Sequence, residues 1–246
     1  MARNAQLGTL GMIRSRENEK LKLVRKLHDR RWREKLGLFV AEGEDLVDAA
    51  RAAGVEPEDL LIADENVDPA LLAEVSSLGH PPRVVGVFRT SDLPRGPLPD
   101  VGLALWRVGD PGNVGTLVRA ADALGPAFVA LSSGSADPTG PKALRASMGS
   151  LFRVPVIPFD EAPGRRIALV AHGGVMPSEL DLSGPTTFVL GAEREGLPGE
   201  VLATCEERLT IPLADAAESL NVATAGAIAL YERTRRASHT VSSRPS

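Results

Sequence analysis

Three short stretches hold residue types at spacings that could do chemistry. The first, "GDPGNVGTLVRAADALG" (109–125), sets glycines at 109, 112 and 115 around Asn113 and brings Arg119 a few residues later. The second, "LGAEREGLP" (190–198), brackets Glu193, Arg194 and Glu195 between Gly191 and Gly196. The third, "IPLADAAESLNVATAGAIALYE" (211–232), places Ser219 and Asn221 ahead of a run rich in Ala and Gly. A glycine-rich turn feeding a helix N-terminus presents backbone N–H groups to an anion. Strand ends in open α/β sheets are where ligands bind. The first spacing is neither G-x-G-x-x-G nor the P-loop pattern, so a dinucleotide or P-loop site is not expected. Each stretch also has a plainer reading. The first would be a βα turn whose helix is capped by the Asn113 side-chain oxygen, with Arg119 in solvent. The second would be a turn with surface charges, and the third a buried helix capped by Ser219 or Asn221. Residue types alone leave both readings open.

Other chemistries find little support. His28, His80, His172 and His239 are scattered, with no metal-ligand spacing, and the single Cys205 builds neither a zinc site nor an internal disulfide. No metal is expected, and one cysteine suits a reducing, cytoplasmic setting. A nucleophile elbow of the G-x-S-x-G kind is missing. Aromatic residues make up 4% of the chain, which argues against a broad base-stacking platform. No apolar window is long enough for a membrane-spanning helix, and the N-terminus lacks the apolar core of a signal peptide.

The elements that must position these stretches alternate between strand and helix. Segments 37–43, 59–64 and 83–89 read as strands, and 44–54 and 69–79 as helices; a small α/β unit with a largely parallel sheet is expected. The proline-rich segment "TSDLPRGPLPDV" (90–101) suits a linker. Beyond it, strands are expected at 102–108, 127–131, 166–172 and 186–193. Helices are expected at 113–124, 140–150, 198–205 and 219–236. The expected layout is a flexible N-terminus (1–13), a small α/β domain (14–95), a larger α/β domain (96–236) and a disordered tail (237–246).

Charge is unevenly spread. Residues 14–35 carry ten Lys or Arg against four Asp or Glu, a net of +6, in a chain whose total is −4. A local polyanion-binding face follows from that asymmetry; a solvated helix face is the plain alternative. Leu21, Leu23, Val24, Leu27 and Leu36 give the segment a rough helical stripe.

Taken together and in this order, the three stretches resemble the three motifs of the SpoU (TrmH-like) RNA 2′-O-ribose methyltransferases of the SPOUT superfamily. The connecting "ADPTGPKALRASMGSLFRVPV" (136–156) resembles the family as well, and the likeness covers about 100–236. The N-terminal unit with "FVAEGEDLVDAA" resembles the ribosomal-protein-like substrate-binding domain often fused ahead of it. The resemblance implies an α/β fold in which an open parallel-sheet C-terminal domain is tied in a trefoil knot, an exception to the rule against threaded chains. It implies S-adenosylmethionine as cofactor, held around Leu190, Gly191, Gly196, Ile211, Pro212, Leu220 and Val222. It implies a catalytic set of Asn113, Arg119, Glu193, Ser219 and Asn221, in which Arg119 binds phosphate or stabilises an oxyanion more readily than it acts as a base. It further implies a homodimer through the terminal helix, suited to the small residues of 222–229, with Arg119 donated across it. RNA is the implied partner, ribosomal RNA above all, contacted by Arg14, Arg16, Lys20, Arg30, Arg31, Lys142 and Arg145, with no membrane partner. A tRNA methylase, an antibiotic-resistance methylase and an RNA-binding module with an inactive site are the rival readings. Arg194 and Ala223 depart from the family pattern, which often carries glycine and serine there.

Overall fold

A computed structural model describes residues 11–214 and 219–242. The chain divides into two compact units, one up to Asp92 and one from Leu93 onward.

In the first unit, α1 (Glu19–Leu27) and α2 (Arg30–Leu36) precede β1 (Leu38–Glu42), α3 (Glu44–Ala52), β2 (Asp59–Ile62), α4 (Pro69–Val75) and β3 (Val84–Arg89). The expected single stripe over 14–35 is in fact two helices. Asp29 ends the first and caps the second, its side chain accepting from Arg31 N–H at 2.9 Å. The buried Arg33 guanidinium then donates to the carbonyls of Leu27 and His28, both at 2.9 Å, closing the C-terminal end of α1. Leu21, Val24 and Leu27 pack with Leu71, Leu72 and Val75 of α4 against Val40, Leu61, Val85 and Val87 of the sheet.

The sheet order is β1-β3-β2, and both ladders are antiparallel, against the expected parallel pairing. The alternation of strands and helices was read correctly, since β1 and β2 do run the same way. The third strand enters between them from the opposite direction. Periodicity is blind to strand order, so it cannot see that insertion. The N-terminal edge also differs from expectation. Ile13 is buried and bonded on both sides, its N–H donating to Asn66 O at 2.9 Å and its carbonyl accepting from Asp68 N–H at 3.0 Å. The rest of the expected flexible N-terminus, residues 1–10, lies outside the described residues.

The second unit runs β4 (Val101–Leu105), α5 (Pro111–Ala123), β5 (Phe128–Leu131), α6 (Pro141–Ser147), β6 (Val156–Pro158), β7 (Arg165–Leu169), β8 (Thr186–Leu190), α7 (Gly199–Leu202), β9 (Glu207–Leu209) and α8 (Val222–Ser242). Its six strands form one sheet in the order β6-β5-β4-β8-β7-β9, with every ladder parallel. Parallel strands covered on both faces read as apolar runs, and "TTFVL" of β8 is buried at all five positions. Strand order reverses between β4 and β8. The first and second motifs therefore follow neighbouring strands, at the kind of switch point where α/β sheets bind ligands.

Gly115 shows why the first motif needs a small residue in its helix. A Cβ there would stand 2.2 Å from Ala143 O and 2.6 Å from Ala146 Cβ, so α5 and α6 pack at a separation only glycine permits. The terminal helix uses its small face in the same way. Val222, Ala223, Gly226, Ala229 and Leu230 are buried, and a Cβ on Gly226 would meet Leu117 Cδ2 at 2.4 Å. That face packs within the unit itself, while Thr224 and Tyr231 of the same helix are exposed. The expected tail is also shorter than 237–246. Residues "ASHTVS" hold no Pro or Gly to break the helix, and α8 runs on to Ser242; residues 243–246 lie outside the described residues.

Candidate active site

Three parallel strands end at one cavity of about 330 Å³. The carboxyl end of β7 contributes Leu169, Val170 and Ala171, that of β8 contributes Leu190 to Glu193, and that of β9 contributes Leu209, Ile211 and Leu213. Gly196 closes the turn after β8, and Ser219, Leu220, Asn221, Val222 and Ala225 come from the entry to α8. Of the residues implied to hold a cofactor, Leu190, Gly191, Gly196, Ile211, Leu220 and Val222 line this space. Pro212 is exposed between two lining neighbours and is not among them. Leu169, Val170, Ala171, Ala192, Leu209, Leu213 and Ala225 were missed. The rule that ligands sit beyond strand carboxyl ends would have flagged the residues after β7 and β9 once those strands were known to be parallel.

The lining is mostly apolar, and its polar groups are few and placed at the rim. Such a composition fits a small molecule with a flat apolar ring and a short charged chain. Gly191 approaches the backbone of the Gly196 turn so closely that a Cβ would lie 2.2 Å from Gly196 carbonyl carbon. The two peptide segments thereby form one wall with no side chain between them. A nucleoside cofactor with an amino-acid tail fits this donor set and this wall.

At the rim, a hydrogen-bonded relay ties the three motifs together. Asn113 Nδ2 donates to Glu193 Oε1 at 2.8 Å, and Asn113 Oδ1 accepts from Asn221 Nδ2 at 3.0 Å. Asn221 Oδ1 in turn accepts from Ala223 N–H at 2.8 Å and Thr224 N–H at 3.3 Å, capping α8. The direction of this relay is forced at both ends. A carboxylate only accepts, and the free N–H groups of a helix start only donate, so each amide between them has one orientation that satisfies its neighbours. Residues 80 and 108 positions apart from Asn113 are thus locked to it through a single side chain.

Asn113 does not cap α5, contrary to expectation. Asp110 does, its Oδ1 accepting from Asn113 N–H at 3.0 Å, and this frees the amide for the relay. Lys142 Nζ sits 2.8 Å from Asp110 Oδ2, and its ammonium, with the Asn113 N–H, holds the Asp110 carboxyl below the usual carboxylate range. Lys142, expected to contact RNA, therefore braces the first motif.

Arg119 stands apart. It is exposed on α5 and does not line the cavity with Glu193, Ser219 and Asn221. Arg194 is exposed in the second motif and Ala223 is buried beneath the third. In the other unit, Arg14 is exposed, Arg16 pairs with Glu74, Lys20 with Asp59 and Arg30 with Glu34, while Arg31 lies beside Trp32. Arg145 lies in the last turn of α6. Among the described residues, no group of three or more His, Cys, Asp or Glu is placed to hold a metal ion, and no helix is long and apolar enough to cross a membrane.

Residues 100–231 match the model of the SpoU rRNA Methylase family, and residues 18–87 match that of the MRM3-like substrate binding domain. A 23S rRNA (guanosine(2553)-2′-O)-methyltransferase of Bacillus subtilis is 33% identical over 89% of this chain and 97% of its own length. The crystal structure of an AdoMet-bound rRNA methyltransferase from Sinorhizobium meliloti superposes with a TM-score of 0.82 at 29% identity, covering 93% of this chain and 99% of that one. The SpoU methyltransferase AviRb of Streptomyces viridochromogenes, in complex with AdoMet, superposes with a TM-score of 0.76 at 26% identity, covering 90% of this chain and 100% of that one.

Proposed function

Because the chain belongs to the SpoU rRNA methylase family, we propose that it methylates a ribose 2′-hydroxyl of ribosomal RNA, with S-adenosylmethionine as cofactor. The observation that carries the reading is the Glu193–Asn113–Asn221 relay at the mouth of the cavity. It joins all three motifs beside a space of the right chemistry.

When bound, S-adenosylmethionine supplies a methyl group activated by its sulfonium. Leu190, Gly191, Gly196, Ile211, Leu220 and Val222 would hold it. The Glu193 carboxylate offers a negative charge at the rim that complements the sulfonium. What remains for the protein is positioning and charge stabilisation. Asn113 and Asn221 orient the rim, and Ser219 completes its polar edge. Arg119 binds the phosphate beside the target ribose and steadies the oxyanion that develops as the hydroxyl attacks. Its exposure on α5, away from the cavity of its own chain, supports donation to the site of a second copy, and so a homodimer.

The unit up to Asp92 would hold substrate RNA, and the unit from Leu93 would carry out transfer. The match to a substrate-binding domain and the rRNA named for the relatives support ribosomal RNA as substrate. The trefoil knot belongs to the same reading. The chain travels from edge strand β9 back to the centre, where Gly226 packs on Leu103, Leu117 and Leu190.

The test is to map 2′-O-methylated nucleotides in total RNA of cells with and without the protein, alongside transfer of labelled methyl groups in vitro. One or more ribosomal sites should vanish in its absence. An unchanged map, with no transfer to ribosomal RNA in vitro, would overturn the proposal.

A further inference from the structure

Folding places eight of the ten cations of 14–35 in two sets. Arg16, Lys20, Lys22 and Arg30 reach carboxylates, and buried Arg33 serves the end of α1. The second set gathers on one indole. Lys26 Nζ lies 5.2 Å from the Trp32 ring centroid, Lys35 Nζ 5.0 Å and the Arg31 guanidinium carbon 5.9 Å. Among the described residues none of these three pairs with a carboxylate. All three are exposed, and Trp32 is half-buried. The cluster depends on the break between the helices. On one continuous helix, residues 26 and 32 would point about 120° apart. The turn at His28 and Asp29 is what carries Lys26 over the ring.

Three exposed cations around one indole repel one another and are held by cation–π attraction, a weak contact where solvent reaches it. A single RNA strand offers each group a stronger partner. Phosphates take the cations, and a base stacks on the ring. We infer that Trp32, with Lys26, Arg31 and Lys35, is a docking point for an unpaired nucleotide of the substrate RNA. The inference rests on the RNA reading above and narrows it to single-stranded or looped segments. Bases in an A-form duplex are stacked on one another and cannot be taken up by a side chain without opening it. Neither Trp32 nor these cations line the cofactor cavity, so the site acts on substrate capture.

The test uses the full chain with Trp106→Phe, which leaves Trp32 as the only indole of the two in the sequence. The probes are a mixed-sequence single-stranded oligoribonucleotide of about 12 nucleotides and a duplex of similar length. The single strand should quench Trp32 fluorescence and the duplex should not. Trp32→Ala should weaken single-strand binding about tenfold, while Trp32→Phe, which keeps a stacking face, should retain most of it. Replacing Lys26, Arg31 and Lys35 together by Gln should flatten the dependence of log Kd on log salt by about 2. Unchanged single-strand affinity in Trp32→Ala would overturn the docking point, as would equal quenching by duplex, or full competition by an acidic peptide. If those results came from a chain that still methylates ribosomal RNA, only the docking point would fall. A chain that neither binds RNA nor transfers methyl groups to it would refute the underlying reading as well.

Discussion

Gly191→Ala is the sharpest test of the cavity wall. The added Cβ would lie 2.2 Å from Gly196 carbonyl carbon, 2.3 Å from its oxygen and 2.6 Å from Leu197 N, where ordinary contact begins at 3.4 Å. The shortfall is 1.2 Å for the nearest atom. The neighbour is backbone, held by the Gly196 N–H bond to Ala192 O at 2.9 Å, so no flexible side chain can yield. The turn must open, and Glu193 inside it moves away from Asn113. Overpacking of this kind costs about 1–3 kcal/mol, and a loss of about 2 kcal/mol lowers Tm by roughly 4–8 °C in a domain of this size. Ligand linkage gives the second readout. At about 100 times its Kd, S-adenosylmethionine should stabilise the unsubstituted chain by about 2.7 kcal/mol, and a 100-fold weaker Kd reduces that to about 0.4 kcal/mol. Thermal melts with and without the cofactor, with calorimetric titration beside them, measure both. Gly199→Ala is the control, because a Cβ there meets nothing within 4 Å. An unchanged Tm and an undiminished cofactor shift in Gly191→Ala would refute the reasoning.

Three further outcomes are expected. Asn113→Ala removes the centre of the relay and leaves Glu193 and Asn221 without it; turnover should fall about 100-fold, with cofactor affinity changed far less, as single-turnover rates and titration would show. Arg119→Ala should lose turnover by about 100-fold or more while melting temperature and cofactor binding hold, since the side chain is exposed and outside the cavity; unimpaired methyl transfer would remove its assigned role. Asp110→Ala deletes the α5 cap, which costs about 1 kcal/mol. The Asp110 carboxyl is held low chiefly by Lys142. Its contribution is therefore present above the ordinary carboxylate value of about 4 and is lost as pH falls through the lowered folded value. The gap in denaturation midpoint between the two chains should close with acidification.

Much of the chemistry was legible because it is local. Glycine where backbones nearly touch, Asn at a helix start and apolar runs for parallel strands are short-range demands, and each leaves a mark on the residues beside it. The ordered motifs carried the family, and apolar runs located four of the six strands of the second unit, β6 and β9 being the exceptions. Where one local mark has two meanings, the fold has to choose. Asn113 fits either a cap or a network because both use the same chemistry, and Asp110 three places earlier takes the cap. Lys142 and Lys20, expected to contact RNA, pair with Asp110 and Asp59; a sequence shows cations without showing which carboxylates fold back to them.

The sequence by itself determined the residue types at each motif, the apolar faces of the elements and the excess of positive charge in 14–35. Only the tertiary structure decided which of those residues meet. It inserted β3 between β1 and β2, set β4 beside β8, and drew Asn113, Glu193 and Asn221 into one relay from three distant positions. It also split one basic segment into two helices and gathered Lys26, Arg31 and Lys35 on Trp32. The physical reason is that periodicity encodes which side of an element is buried, whereas strand order and helix breaks are settled by packing among elements far apart in the chain.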